Sequence, residues 1–420
     1  MFDNPSAYHR VKSANLLTNE VIQRLYRVTD EEILTHMYFE HALTWKCTIK
    51  RSWAQGSLYH LLKKIGILAQ TSIALSALAA AQIYAIRNQV PVPRAEVPLK
   101  HTRLNGKPDP SPWGLIGGLQ TLDRYVRIHD SFPNHAEGAL EPLGLPKSAS
   151  RQQVSQENTQ WASADLEAHY HNPHAISNFP ILLKKLANGC PSLSTHLPEG
   201  SGKCSRALRV LELSRVIAAP PAGKTLAAHG ADALWLDIDK SKDLAQLQQL
   251  ITSADVFIRE FLPGCLTSRD LSAEEIFKIN LGIIIVNMFA FGPIGVWSNR
   301  RGFDSLVAHF GVGEIARPLP CEILGHVGEY LLLEGGACQV DISLASIMKY
   351  LRSLGQYPVS CGFQCNDYEY SEDVEEDRGA CESDFGLLGA MRHSVVIDGC
   401  SVGWEIMPKP SRSDEPIWLQ

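Results

Sequence analysis

The chain has 420 residues, 45% hydrophobic and 20% charged, a globular composition with room for two or three domains and a sizeable core. A formal net charge of −6 argues against a nucleic-acid partner, although an anionic cofactor answers to local rather than net charge. The ten cysteines include no CxxC pair, and Cys361 and Cys365 are accompanied by no histidine pair at zinc-finger spacing. With no signal-peptide pattern in the amino-terminal stretch, reduced thiols, no metal and a cytoplasmic location are expected.

Residues 1–60 are mixed and polar, with helical patterning at Glu20–Val28 and Glu31–His41. Ile65–Ile86 then runs for 22 residues without a charge between Lys63, Lys64 and Arg87. Its length would permit a membrane span. However, Gln70, Thr71, Ser72, Ser76 and Gln82 interrupt it, and alanine rather than leucine dominates, so a helix buried in protein is expected. Arg94–Thr102 is strand-like. The Pro/Gly cluster beginning at Asn105 marks a boundary, followed by a turn at Leu122–Arg124 and a strand at Tyr125–His129. His169, His171 and His174 fall in a polar stretch without a carboxylate at helical ligand spacing, and a solvated loop is expected rather than a metal site. Phe179–Ala187 reads as a short amphipathic helix, and Pro191–Gly202 as a linker.

The chain is organised around Arg209–Asp237, which reads as strand, turn, helix and strand. Arg209–Val216 and Ala233–Asp237 are apolar runs of strand length. Between them, Lys224–His229 has helical composition, and Gly230 stands where a helix would end. A βαβ unit of this length implies a parallel sheet buried on both faces, with ligands beyond the carboxyl ends of its strands. Ala218–Thr225, AAPPAGKT, also fits a relaxed P-loop pattern. A phosphate cradle needs consecutive backbone N–H groups, and Pro220 and Pro221 have none. A turn packing a helix on its sheet is therefore expected, with a P-loop nucleotide binder as the remote alternative.

The pattern continues with a helix at Leu244–Ile251, a strand at Asp255–Arg259, a helix at Glu274–Ile279 and a strand at Gly282–Asn287. Residues 291–304 form a Gly-rich turn carrying Arg300, Arg301 and Asp304, where a phosphate contact and a solvated loop are both open readings. The acidic stretch 367–384 reads as a solvated loop, and Trp404–Gln420 as a closing tail.

Several of these segments resemble one family. RVLELSRVIAAPPAGKTLAAHGAD is similar to the opening of class III CoA-transferases, the CaiB/BaiF family that includes formyl-CoA transferase and α-methylacyl-CoA racemase. SADVFIREFLPG (253–264), GIIIVNMFAFGPIGVWSNRRGFDSLV (282–307) and EGGACQVDISLA (334–345) follow in the family's order. The match is strongest over 206–355 and resembles fungal members at both ends. It implies an α/β protein: a Rossmann-like parallel sheet domain with a smaller α+β domain. The corresponding divisions are a helical region and strand at 1–104, a small α+β domain and linker at 105–200, the Rossmann-like core at 201–358, and an acidic loop and tail at 359–420.

By the same resemblance the activity is transfer of CoA between carboxylic acids, or acyl-CoA racemisation, in a fungal secondary-metabolic setting. Acyl-CoA and a carboxylic acid are the implied substrates and a homodimer the implied assembly, with no nucleic acid, no membrane and no metal. Coenzyme A would meet Ala219, Pro220, Phe261, Pro263, Gly264 and Arg300. The family's Glu-Asn-Phe-Arg-Pro-Gly loop reads Arg259-Glu260-Phe261-Leu262-Pro263-Gly264 here, keeping a phenylalanine suited to stacking on adenine. The family's nucleophilic aspartate aligns with Gly325, which has no group to attack with. Glu329 and His326 are the neighbouring residues able to act as nucleophile or acid–base group. Family segments after Leu333 and between Asp237 and Leu244 are also shorter. A catalytically impaired relative acting as a binding protein and an incomplete reading frame are therefore both open alternatives.

Overall fold

The computed structural model describes residues 26–28, 65–97, 117–123, 125–128, 140–141, 143–162, 181–186, 202–215, 218–236, 241–295, 297–302, 337–347, 378–410 and 413–419. Its main sheet follows directly from the βαβ pattern. Strand β6 (Arg209–Leu213) leads into helix α3 (Pro220–Ala228) and strand β7 (Asp232–Trp235). Helix α4 (Ser241–Ile251), strand β8 (Val256–Arg259), helix α5 (Ala273–Ile279), strand β9 (Ile284–Phe289) and strand β10 (Cys338–Ser343) follow. The order β10-β9-β8-β6-β7 is parallel throughout. The chain steps from β6 outward to β7, then back past β6 to β8. That reversal makes a crevice beyond the carboxyl ends of β6 and β8.

Each element has a local cause. Pro220 and Pro221 occupy the first positions of α3, where a missing N–H costs no intrahelical bond. Gly230, at φ 102°, ends the helix turn, and a Cβ there would come within 2.7 Å of Lys203 Cβ. Helix α4 is amphipathic: Leu247, Leu250 and Ile251 are buried, with Leu244 packed beside them. Ser272 caps α5, its Oγ accepting the Glu275 N–H at 3.1 Å. These helices cover the sheet face that presents Leu211, Leu213, Phe257, Ile283 and Ile285.

Two strands from distant segments complete the seven-stranded sheet of the described residues. Strand β5 (Ile181–Lys185) runs antiparallel to β10, and strand β1 (Tyr26–Val28) runs parallel to β5. This corrects the helix expected at Phe179–Ala187. Three apolar residues followed by two lysines suit either state, and ladder pairing with β10, extended by Leu186 N–H to Ala337 O at 2.9 Å, decides for strand. Residues 26–28 of the expected Glu20–Val28 helix are likewise extended, whereas Glu31–His41 lies outside the described residues.

Helix α1 (Ile65–Asn88) takes up the uncharged stretch. Ile73, Ser76, Ala77, Ala79, Ala80, Ala81 and Ile83 are buried, as expected for a helix packed within protein. None of the described helices is long and apolar enough to cross a membrane. The guanidinium of Arg87, near the end of α1, donates to Cys204 O at 2.7 Å. Strand β2 (Ala95–Glu96) pairs with strand β13 (Val396–Ile397), tying the region after α1 to the carboxyl-terminal part.

A hairpin of strand β3 (Gly117–Gln120) and strand β4 (Tyr125–Ile128) packs near helix α2 (Arg151–Asn158). Leu119, Leu140, Leu143 and Val154 form their small core, and a Ser150–Gln153 capping box starts α2. Strand β11 (Arg378–Ser383) and strand β12 (Gly386–Met391) form another hairpin, so the last part of the acidic stretch is not a loop. The tail packs back as expected. Trp418 Nε1 donates to Ser253 Oγ at 3.0 Å, and Trp404 Nε1 donates to Lys224 O at 2.9 Å.

Candidate functional site

The crevice beyond β6 and β8 is lined by the ends of those strands and the start of α3. Glu212 is the penultimate residue of β6 and alternates away from the apolar face, beneath α3. It is 3% exposed, accepts the Gly223 N–H and a hydrogen bond from Ser214 Oγ. A Cβ at Gly223 would collide with its Oε2, so glycine is what lets helix and carboxyl meet. Glu260 follows β8, its N–H donating to Leu213 O at 3.1 Å. Its carboxyl group accepts the N–H groups of Arg215 and Ala219.

Two carboxyl groups thus converge on the amino end of α3. Burial, opposed by the Ser214 hydrogen bond and reinforced by Glu260, raises the pKa of Glu212 to about 8. Burial likewise raises Glu260 to about 7, against the two backbone donors. Near neutral pH the pair therefore holds protons that an exposed pair would have lost. Oε2 of Glu260 is buried with no hydrogen-bond partner among the described residues.

This arrangement overturns the P-loop alternative. The N–H groups of Ala219 and Gly223 serve the chain's own carboxyl groups, and the intervening prolines offer none. A phosphate would have to displace two glutamates to reach the helix end. Glu260 acts as an internal acceptor here, which its position in a loop sequence could not reveal.

Across the neighbouring strands lies a second polar constellation. Arg259, Asn287 and Asp341 stand opposite one another on β8, β9 and β10. Arg259 Nε donates to Asn287 Oδ1, and its other arm donates to Leu271 O. Asn287 Nδ2 then donates to Asp341 Oδ1 at 2.5 Å, and Gln339 Nε2 donates to both Asp341 oxygens at 2.9 and 3.0 Å. Burial lowers Arg259 to about 10 and raises Asp341, the latter against its hydrogen bonds. The arrangement ties together three neighbouring strands, with Arg259 at the carboxyl end of β8 and Asn287 and Asp341 two residues before the ends of β9 and β10.

The expected coenzyme residues share this carboxyl edge. Ala219 is fully buried at the α3 N-cap, and Pro220 is half-buried beside it. Phe261 packs partly against the α4–α5 core, Pro263 is half-buried, and Gly264 is exposed at φ 75°. Arg300, in the turn after β9, lies 5.0 Å over the Trp297 ring and 5.9 Å over Phe291. Arg301 is exposed, so one of the two basic residues is stacked and the other faces solvent. Gly325, His326 and Glu329 lie outside the described residues, as do Asp304 and the three histidines at 169, 171 and 174. No group of metal-ligating side chains occurs among the described residues.

Sequence reasoning passed over Glu212 and Ser214. A glutamate alternating inward within RVLEL, next to a helix starting on prolines, was the available signal.

Comparisons with known proteins fall on this same region. Residues 232–315 match the model of CoA-transferase family III, while residues 1–61 match a domain of unknown function, DUF4387. A probable CoA-transferase of Mycobacterium tuberculosis is 31% identical over 143 residues, 28% of this chain and 18% of that protein. An acetyl-coenzyme A transferase of Hypoxylon pulicicidum is 28% identical over 127 residues, covering 24% of this chain and 21% of its own length. An acyl-CoA transferase of Gibberella moniliformis is 24% identical over 231 residues, covering 46% and 39%. The chain thus spans well under half the length of these curated relatives. The match to CoA-transferase family III over residues 232–315 agrees with the resemblance read from the motifs.

Proposed function

We propose that the protein acts on CoA thioesters, moving CoA from an acyl-CoA to a free carboxylic acid. One observation carries this reading: the family match at 232–315 takes in β7, α4, β8, the Arg259–Gly264 loop and β9, which border the switch-point crevice. In it Phe261 offers an aromatic face for adenine, Pro263 and Gly264 a close backbone approach, and Arg300 a cation for phosphate. Ala219 and Pro220 shape the wall beside them. The assembly inferred is a cytoplasmic homodimer, which light scattering on the purified chain would read.

The chemistry requires a carboxylate, and Gly325 supplies none. We assign the role to Glu329, with His326 as the acid–base group. A Glu329 oxygen attacks the thioester carbonyl carbon, the C–S bond breaks, and CoA leaves as thiolate from a mixed anhydride. The thiolate then attacks the glutamyl carbonyl, releasing the first acid and leaving a glutamyl thioester. The incoming carboxylate reverses the sequence and departs as the new acyl-CoA. Turnover far below that of a relative with the aspartate is expected, because Glu329 sits four residues later in a shortened segment.

Thermal unfolding tests the binding step. Free CoA at a hundredfold excess over its dissociation constant should stabilise the protein by about 2.7 kcal/mol, with a smaller effect from ATP–magnesium. Stabilisation by ATP–magnesium alone would sink the proposal.

A further inference from the structure

A thiol pair sits where the tail meets the residues before β6. Cys204 is fully buried, and Cys400 is 9% exposed on an open groove that His393 and Trp404 also line. The Cys204 thiol and its backbone N–H both hydrogen-bond to the Cys400 sulfur. Ser401 N–H donates to Gly202 O at 3.0 Å, holding the two segments side by side, and Gly403 N–H donates to Ala228 O at the end of α3 at 2.9 Å. Cys204 Sγ also lies 3.3 Å from Nδ1 of His229, a ring kept neutral by complete burial. Two cations face the pair: Arg87, which donates to Cys204 O, and Lys203, whose Nζ donates to Gly403 O.

We propose that Cys204 and Cys400 form a peroxide-responsive dithiol that closes into a disulfide and locks the 400–409 tail segment onto the 202–206 loop. The components match what thiol oxidation needs. Hydrogen bonding from Cys204 chiefly favours the Cys400 thiolate, with Lys203 and Arg87 adding to it, lowering Cys400 to about 7 against the opposing effect of burial. Cys400 borders the groove, from which a small oxidant can approach its sulfur, whereas Cys204 is fully buried. The Cys400 sulfur attacks one peroxide oxygen; the O–O bond breaks, and hydroxide leaves as water once protonated. The resulting sulfenic acid is attacked by the Cys204 sulfur, whose proton passes to the departing hydroxyl oxygen. The S–O bond breaks and a second water leaves. Two thiols lose two electrons, and one peroxide becomes two waters.

The locked segment matters because it carries Trp404, whose ring sits 4.6 Å from Lys224 Nζ on α3 and edge-on to His393. Oxidation would thus fix one wall of the groove that Pro220, Gly223 and Lys224 of α3 also line.

The experiment treats the full chain with hydrogen peroxide, alkylates the remaining thiols and maps the peptides by mass spectrometry. A Cys204–Cys400 cross-linked peptide that disappears on reduction with dithiothreitol is the expected result. In Cys204→Ser, which lacks the resolving thiol, dimedone should instead label Cys400 as a sulfenic acid. Recovery of Cys204 and Cys400 as alkylated thiols, while the exposed Cys265 and Cys381 are oxidised, would overturn the proposal. So would a Cys204→Ser protein whose Cys400 takes no dimedone. Both readouts are independent of transferase activity.

Discussion

The two sides of strand β6 solve opposite problems. On one face, Leu211 and Leu213 join Phe257, Ile283 and Ile285 under α4 and α5, and every contact is apolar and replaceable in kind. On the other, Glu212 lies buried beneath α3 with Ser214 and Gly223 as partners and Glu260 as a like-charged neighbour. The first face draws its stability from area removed from water. The second holds ionisable groups where water cannot solvate them, and that cost is offset only by specific donors. A fold that keeps such a pair at its ligand edge has fixed the electrostatics there before any ligand arrives.

Truncating the apolar face should have the largest effect. Phe257 is fully buried at the middle of the sheet, and Phe257→Ala should cost about 3–5 kcal/mol in urea unfolding with an unchanged m-value. A loss below about 1 kcal/mol would mean that this core is not packed as described.

The carboxyl side should instead respond to pH. An unfolded glutamate ionises near 4.5, whereas folded Glu212 keeps its proton to about 8. Between these values the folded state binds more protons, so stability from this group is full below about 4.5 and falls as pH rises through 8. Glu212→Gln cannot ionise. It should flatten the pH profile and gain about 1–3 kcal/mol on the wild type at pH 8 relative to pH 5. Parallel profiles for the two proteins would contradict the buried pair.

That contrast also explains what could be read from residues alone. The apolar face was legible because its strands are short hydrophobic runs and its helices carry leucines on one side, as at Leu244, Leu247 and Leu250. The carboxyl pair was not. Glu212 and Glu260 are 48 residues apart and meet only because β8 pairs directly with β6. Strand β5 was misread for the same reason: its partner β10 lies some 150 residues downstream, and nothing local in ILLKK distinguishes strand from helix. The family resemblance expects a coenzyme loop at Phe261–Gly264, which follows the carboxyl end of β8, but could not show that Glu260 turns inward.

Smaller changes sharpen the comparison at its margins. Ser272→Ala removes the α5 cap on the apolar side and should cost about 1 kcal/mol, independent of pH. Trp418→Ala removes the tail's hydrogen bond to Ser253 and its stacking against Arg209, 5.8 Å away, at an expected cost of about 0.5–1 kcal/mol.

The central claim, CoA transfer through a carboxylate other than the missing aspartate, is tested most directly by thioester exchange. Labelled CoA would be followed into acyl-CoA by wild type, Glu329→Gln and Gly325→Asp, with hydroxylamine present to trap any acyl-enzyme. The account predicts slow wild-type exchange, a trapped hydroxamate at Glu329, loss of both in Glu329→Gln, and only partial gain in Gly325→Asp. Exchange that survives unchanged in Glu329→Gln would contradict it.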